Sequence, residues 1–128
     1  MDTATVAARL VELCSQFKNF EAMQELYADD IVSVEASPRP NGSLETKGKE
    51  AVIGKSKGWA AAHEIHGAAI HGPFLLQDRF AVTFQFDVTP KATGTRASNE
   101  EIAVYTVAGG KITREEFFYG VNSNALAR

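Results

Sequence analysis

The C-terminal stretch 100–119 constrains this chain most. Two runs of β-branched and aromatic residues flank Ala108-Gly109-Gly110-Lys111. A Gly-Gly pair suits a tight hairpin turn because both central residues can take positive φ. Paired without interruption around that tip, Val107 faces Ile112, Tyr105 faces Arg114, Ala103 faces Glu116 and Glu101 faces Phe118. Because side chains alternate along a strand, these eight residues share one face. The other face carries Ile102, Val104, Thr106, Thr113, Glu115, Phe117 and Tyr119. Both faces hold apolar groups, so both must be covered: one by helices, the other by a second copy of the chain.

The remaining 108 of the 128 residues are enough to complete a single domain spanning 1–128, with a core that needs no disulfides. A net charge of −3 supplies no basic surface for nucleic acid or an anionic membrane, so neither partner is expected. The one cysteine, Cys14, lies on an apolar helical stripe and reads as a small buried residue. No signal-like N-terminus and no run of 18 apolar residues is seen, which leads to the expectation of a soluble, cytoplasmic protein.

From the N-terminus, Val6, Leu10, Leu13, Cys14 and Phe17 recur at helical spacing behind a cap at Asp2 or Thr3. A second, shorter helix carries Phe20, Met23, Leu26 and Tyr27 and stops at Asp29-Asp30. Residues 31–36 alternate as a short strand, with Ile31, Ser33 and Glu35 on one side. The loop 37–43, with two prolines and Asn-Gly, is a connection or a lid. A third helix spans about 49–62 and presents Val52, Trp59 and His63 on one side. Beyond it the pattern is strand: an interrupted run over 64–76, then Val82, Phe84, Phe86 and Val88 alternating cleanly over 80–89, then the hairpin. Helices first and strands afterwards, without βα alternation, indicate an α+β domain whose helices pack on one face of a curved, mainly antiparallel sheet.

With Leu26-Tyr27-Ala28-Asp29-Asp30 ahead of the first strand, Trp59 in the third helix and Gly110-Lys111-Ile112 in the last hairpin, nearly the whole chain resembles the SnoaL-like branch of the nuclear-transport-factor-2-like superfamily. The resemblance implies a cystatin-like cone, in which three N-terminal helices pack into the concave face of a strongly bent sheet around an apolar cavity. It also implies a homodimer through the outer sheet face, a small hydrophobic organic ligand and chemistry without a cofactor. Related enzymes include polyketide cyclases, ketosteroid isomerases and limonene epoxide hydrolases; other relatives only bind or assemble. The aspartate–arginine arrangement of the limonene-type hydrolases is not matched, since Asp87 is the one aspartate within the long strands, and Tyr119-Gly120 replaces the aspartate that ends the last strand in relatives.

In such enzymes carboxylates, tyrosines and histidines project into the cone, where burial can raise a carboxyl pKa towards that of a general base. With Ile112 pointing inward as the resemblance implies, uninterrupted pairing sends Glu116, Arg114, Tyr105 and Glu101 the same way. These are the candidate catalytic residues, together with His66. A self-satisfied ion-pair network is the competing reading of Glu101, Arg114 and Glu116. Tyr27, Trp59, Phe84, Phe86 and Phe118 are the expected lining of the cavity. His66 and His71 are an odd number of residues apart and point to opposite faces of a regular strand, with His63 at a helix end, so no metal site is expected.

Two functions from different classes fit these residues. One is a cofactor-independent enzyme with Glu116 or His66 as general base and Tyr105 as a donor to a developing oxyanion. The other is a ligand-binding or assembly domain that keeps the cavity without the chemistry.

Overall fold

A computed structural model describes residues 1–38 and 42–119. Arg39, Pro40 and Asn41 of the expected lid, and Gly120 onward, lie outside the described residues. Helix α1 (Thr3–Ser15) begins where the Asp2 carboxylate accepts the Thr5 N–H at 2.8 Å, and its apolar stripe buries Val6, Leu10 and Leu13. A tight turn through Phe17 leads to α2 (Asn19–Leu26), and the two helices are tied by Arg9, whose guanidinium meets Glu25 at 2.7 Å. The second helix ends at Leu26 instead of continuing to the Asp29-Asp30 stop, so Tyr27, expected in the helix, opens β1 (Tyr27–Val34).

A short strand not anticipated from the sequence, β2 (Glu45–Lys47), pairs with β1 and leads through Gly48 into α3 (Lys49–Ala62). Strands β3 (His63–Leu76), β4 (Arg79–Pro90), β5 (Ala97–Ala108) and β6 (Lys111–Tyr119) follow. Together they form one six-stranded sheet in the order β2-β1-β6-β5-β4-β3. Only the β1–β6 pair is parallel among the described strands. The interrupted run over 64–76 is a single strand whose pairing slips twice, between Ile65 and Gly67 and between His71 and Phe74.

The three helices lie against one face of the sheet, giving the α+β cone. The core sits between them: Val6, Leu10, Leu26 and Val52 from the helices meet Ile31, Phe80, Val82, Tyr105 and Ile112 from the strands. The clean alternation of β4 is realised as read, with Val82, Phe84 and Val88 buried.

The hairpin departs from simple register in one place. Val107 faces Ile112 as expected, but Thr106 faces Arg114, leaving Thr113 as an extra residue on β6. Its hydroxyl donates to the Thr106 carbonyl at 3.3 Å. Beyond this bulge every partner is displaced by one: Tyr105 faces Glu115, Ala103 faces Phe117 and Glu101 faces Tyr119. Strand β5 keeps its predicted inward face, with Glu101, Ala103, Tyr105 and Val107 buried, but β6 turns over. Glu115 and Phe117 point to the helices, whereas Glu116, Arg114 and Phe118 are on the outside. A one-residue slip moves a whole strand's side chains to the opposite face, and that is the physical reason for the correction.

The cavity between helices and sheet

The inner faces of β3 to β6 and the helices enclose a cavity of about 420 Å³. One wall is aromatic. Trp59, from the last turns of α3, lies 5.3 Å from Phe86 with the rings at 55°, and Phe86 stacks on Phe84 at 5.7 Å. Trp59 is fixed in turn by His63, whose ring stacks on it at 4.3 Å and whose Nδ1 lies 2.7 Å from the Trp59 carbonyl. A carbonyl only accepts, so the proton of that contact belongs to Nδ1 and His63 is an orienting group. The inner end is formed by Tyr27, Tyr105 and Phe117 with Leu10 and Cys14 of α1, and the mouth by Phe17 and Phe20. Phe17 is 71% exposed, a large apolar side chain left at the rim.

Glu101 brings a carboxylate into this lining. It stands on β5 directly across the ladder from Phe84, and its side chain is buried. Tyr105 follows it four residues later on the same face. Among the described lining residues there is no Lys, Arg or His.

Behind the inner end runs a buried polar chain that joins α3, β1 and β6. Glu115 accepts the Tyr27 hydroxyl on one oxygen and the Ser33 hydroxyl, at 2.6 Å, on the other. Lys55 donates to the Ser33 oxygen at 2.8 Å and to Glu35 at 2.7 Å, and Tyr119 donates to the second oxygen of Glu35. The Lys55 ammonium also lies 5.6 Å above the Phe117 ring. Both buried carboxylates are thus met by charged or hydroxyl donors, the condition under which a buried charge is tolerated.

The field of this chain reaches the cavity. Burial first, and then the Glu115 charge, holds the Tyr27 phenol well above its usual value. The same two causes, in the same order, push the Cys14 thiol up to about 12. At neutral pH Tyr27 is therefore an O–H donor already committed to Glu115, and Cys14 is an inert thiol rather than a nucleophile.

Of the residues anticipated from the sequence, Tyr105, Glu101, Tyr27, Trp59, Phe84 and Phe86 are brought together around the cavity. Glu116 and Arg114 are not: they face each other at 3.5 Å on the outer side of the sheet. Phe118 is 52% exposed there, next to Ile102 across the ladder. His66 is exposed and bonded to the Thr89 hydroxyl at 2.8 Å, outside the cavity lining. Sequence reasoning missed the chain Glu115–Ser33–Lys55–Glu35. Its one visible signal was the pattern Ile31-Ser33-Glu35, which puts polar residues on the side of β1 that also carries a buried Ile. Among the described residues no three His, Cys, Asp or Glu side chains converge as a metal site.

The family model for the SnoaL-like domain matches residues 1–119. The chain belongs to the SnoaL-like family. A crystal structure from Mesorhizobium loti, named as a candidate SnoaL-like polyketide cyclase, is 45% identical, with a TM-score of 0.88 over 93% of this chain and 100% of that one. A candidate SnoaL-like polyketide cyclase from Jannaschia sp. CCS1 shares 12% identity at a TM-score of 0.74, over 96% of this chain and 88% of that one. A Catenulispora acidiphila protein with a ketosteroid-isomerase-like fold, solved with trimethylamine, shares 18% identity at 0.70, over 92% and 87%. At those lower identities the likeness is one of fold. No curated protein matches the sequence. Among the described residues, no helix of this SnoaL-like chain is long and apolar enough to cross a membrane.

Proposed function

We propose that this SnoaL-like protein takes a small hydrophobic molecule into the cone and acts on it by general acid–base catalysis without a cofactor, as a cyclase or isomerase would. The observation that carries this reading is Glu101, a buried carboxylate set into an otherwise largely aromatic cavity wall. Glu101 replaces Glu116 and His66 in the role of base, because it alone of the three lines the cavity. In such a site the carboxylate removes a proton from a carbon next to a carbonyl and, as the carboxylic acid, returns it to another position. Tyr105, on the same face of β5, is assigned in this reading as the donor to the oxygen on which charge develops. Steady-state assays with cyclic ketones and polyketide-like diketones test this: Glu101→Gln should lower kcat by about 100-fold or more, while ligand-induced stabilisation persists. Turnover unaffected by Glu101→Gln would refute the assignment.

A second reading, a cavity that binds without reacting, is favoured by one observation: the Tyr27 hydroxyl is engaged by Glu115 and so is not offered to a ligand. Under that reading the stabilisation is seen and no substrate turns over.

The protein is further proposed to dimerise through the outer face of the sheet. Support comes from the adjacent Ile102 and Phe118, 45% and 52% exposed on paired strands, an apolar pair of the kind that an interface covers.

A further inference from the structure

The cavity has an apolar mouth. Phe17 lies in the turn between α1 and α2, Phe20 in the first turn of α2, and Ile65 on the edge strand β3. All three line the cavity, yet they are 71%, 37% and 45% exposed. Single exposed apolar side chains are ordinary on a protein surface, whereas several bordering one opening form a patch that a ligand can cover. A molecule held wholly within the chamber would leave them in water.

Phe17 is unfavourable in its backbone as well. It follows Gln16, the C-cap of α1, with φ at 62°. Its N–H donates to the Cys14 carbonyl at 3.1 Å and the Lys18 N–H donates to the Leu13 carbonyl at 2.9 Å, the pair of bonds that closes a helix on a left-handed residue. Glycine or asparagine ordinarily fills that position, and a bulky side chain there is strained. Two costs therefore meet in one ring, a strained main chain and an uncovered apolar surface, and a side chain so exposed recovers little of either by packing. Departures of this kind from the local folding rules concentrate at sites that bind.

We propose that the ligand is an elongated carbonyl compound with an apolar tail, its reacting end inside the chamber and its tail lying across the mouth, where Phe17, Phe20 and Ile65 cover it. The proposal rests on the cavity being the ligand site and adds the shape of the molecule. Phe17 is then a specificity residue that selects for the length of the tail: it gains cover only when a chain reaches the rim, and a short ligand leaves it as exposed as before. Burying a methylene is worth roughly threefold in affinity, so the selection grows with each carbon that meets the rim.

A series of para-alkylacetophenones with chains from methyl to octyl tests it, because para substitution sets the chain opposite the ketone. Binding is read by titration calorimetry and by the rise in melting temperature. In the wild type the affinity should climb along the series, by about threefold per methylene once the chain reaches the rim. Phe17→Asn, which suits the left-handed backbone, should raise the melting temperature of the ligand-free protein, bind the methyl compound within about twofold of wild type and bind the octyl compound about tenfold more weakly. Ile65→Thr, which keeps a β-branched strand residue, should likewise weaken the octyl compound by about threefold or more and spare the methyl one, and serves if Phe17→Asn does not fold. An equal loss along the whole series, or an octyl compound indifferent to both variants, would overturn the tail across the mouth and leave the chamber standing as a ligand site. If no member of the series releases heat or shifts the melting temperature, the chamber as a ligand site fails as well.

Discussion

Tyr105 of β5 stands directly across from Glu115 of β6, one residue out of step with the register that the Gly109-Gly110 turn alone would set. The displacement originates at Thr113 and decides which acid is inside. Glu115 is held by Tyr27 and Ser33 in the interior, whereas Glu116 meets Arg114 at the surface.

The two neighbouring glutamates should therefore respond oppositely to substitution. Glu115→Leu strips the acceptor from two buried hydroxyls and should cost about 2–4 kcal/mol in urea unfolding. Glu116→Gln removes one half of a partly exposed ion pair and should change stability by less than about 0.5 kcal/mol. Equal effects would contradict the bulged register.

Lys55 holds α3 to β1 through Ser33 and Glu35, with 11% of its side chain exposed. Lys55→Met should destabilise by about 3–5 kcal/mol, because the Glu35 carboxylate loses the cation that faces it in a buried setting. Adding Glu35→Leu to that variant should recover at least about 1 kcal/mol, a coupling that a double-mutant cycle measures directly.

Alkaline stability depends on Cys14. Its thiol is raised from 9.0 to about 12 in the fold, so its contribution is complete below pH 9 and is lost as the pH climbs towards 12. Over that interval the unfolded chain binds fewer protons than the folded one, and stability falls by at most about 1.4 kcal/mol per pH unit from this group. Cys14→Ala should flatten that part of the pH profile, measured by chemical denaturation between pH 8 and 11. An unchanged slope would place the thiol in water.

Ile102 and Phe118 give a test of assembly that is independent of the cavity. Light scattering should find the wild-type chain as a dimer and the Ile102→Lys/Phe118→Lys variant as a monomer with its melting cooperativity retained. A monomeric wild type would remove the interface.

Local periodicity made most of the architecture readable. The strict alternation of Val82, Phe84 and Val88 specified β4 and its inward face, and the three-and-four spacing of Val6, Leu10 and Leu13 specified α1. Tyr27, Trp59, Phe84, Phe86, Glu101 and Tyr105 were legible as cavity groups because each lies in an element whose buried side is set by its own neighbours. Glu116, Arg114 and Phe118 were misplaced because a bulge leaves no compositional mark: Thr113 is as ordinary a strand residue as Thr106. The Glu115–Tyr27 and Glu115–Ser33 contacts bridge 88 and 82 residues of chain, and no local pattern encodes them. The three-residue strand β2 was too short to show alternation.

The extra residue in β6 also sets how this chamber compares with others of its shape. Dropping or gaining a single position there exchanges one whole set of inward groups for the other while every helix and strand stays in place. An alignment that passes through this point without a gap would match Glu116 to the interior acid of an unbulged relative. Chemistry in such cones can thus be re-dealt by a shift in length as readily as by replacement of the reacting side chain.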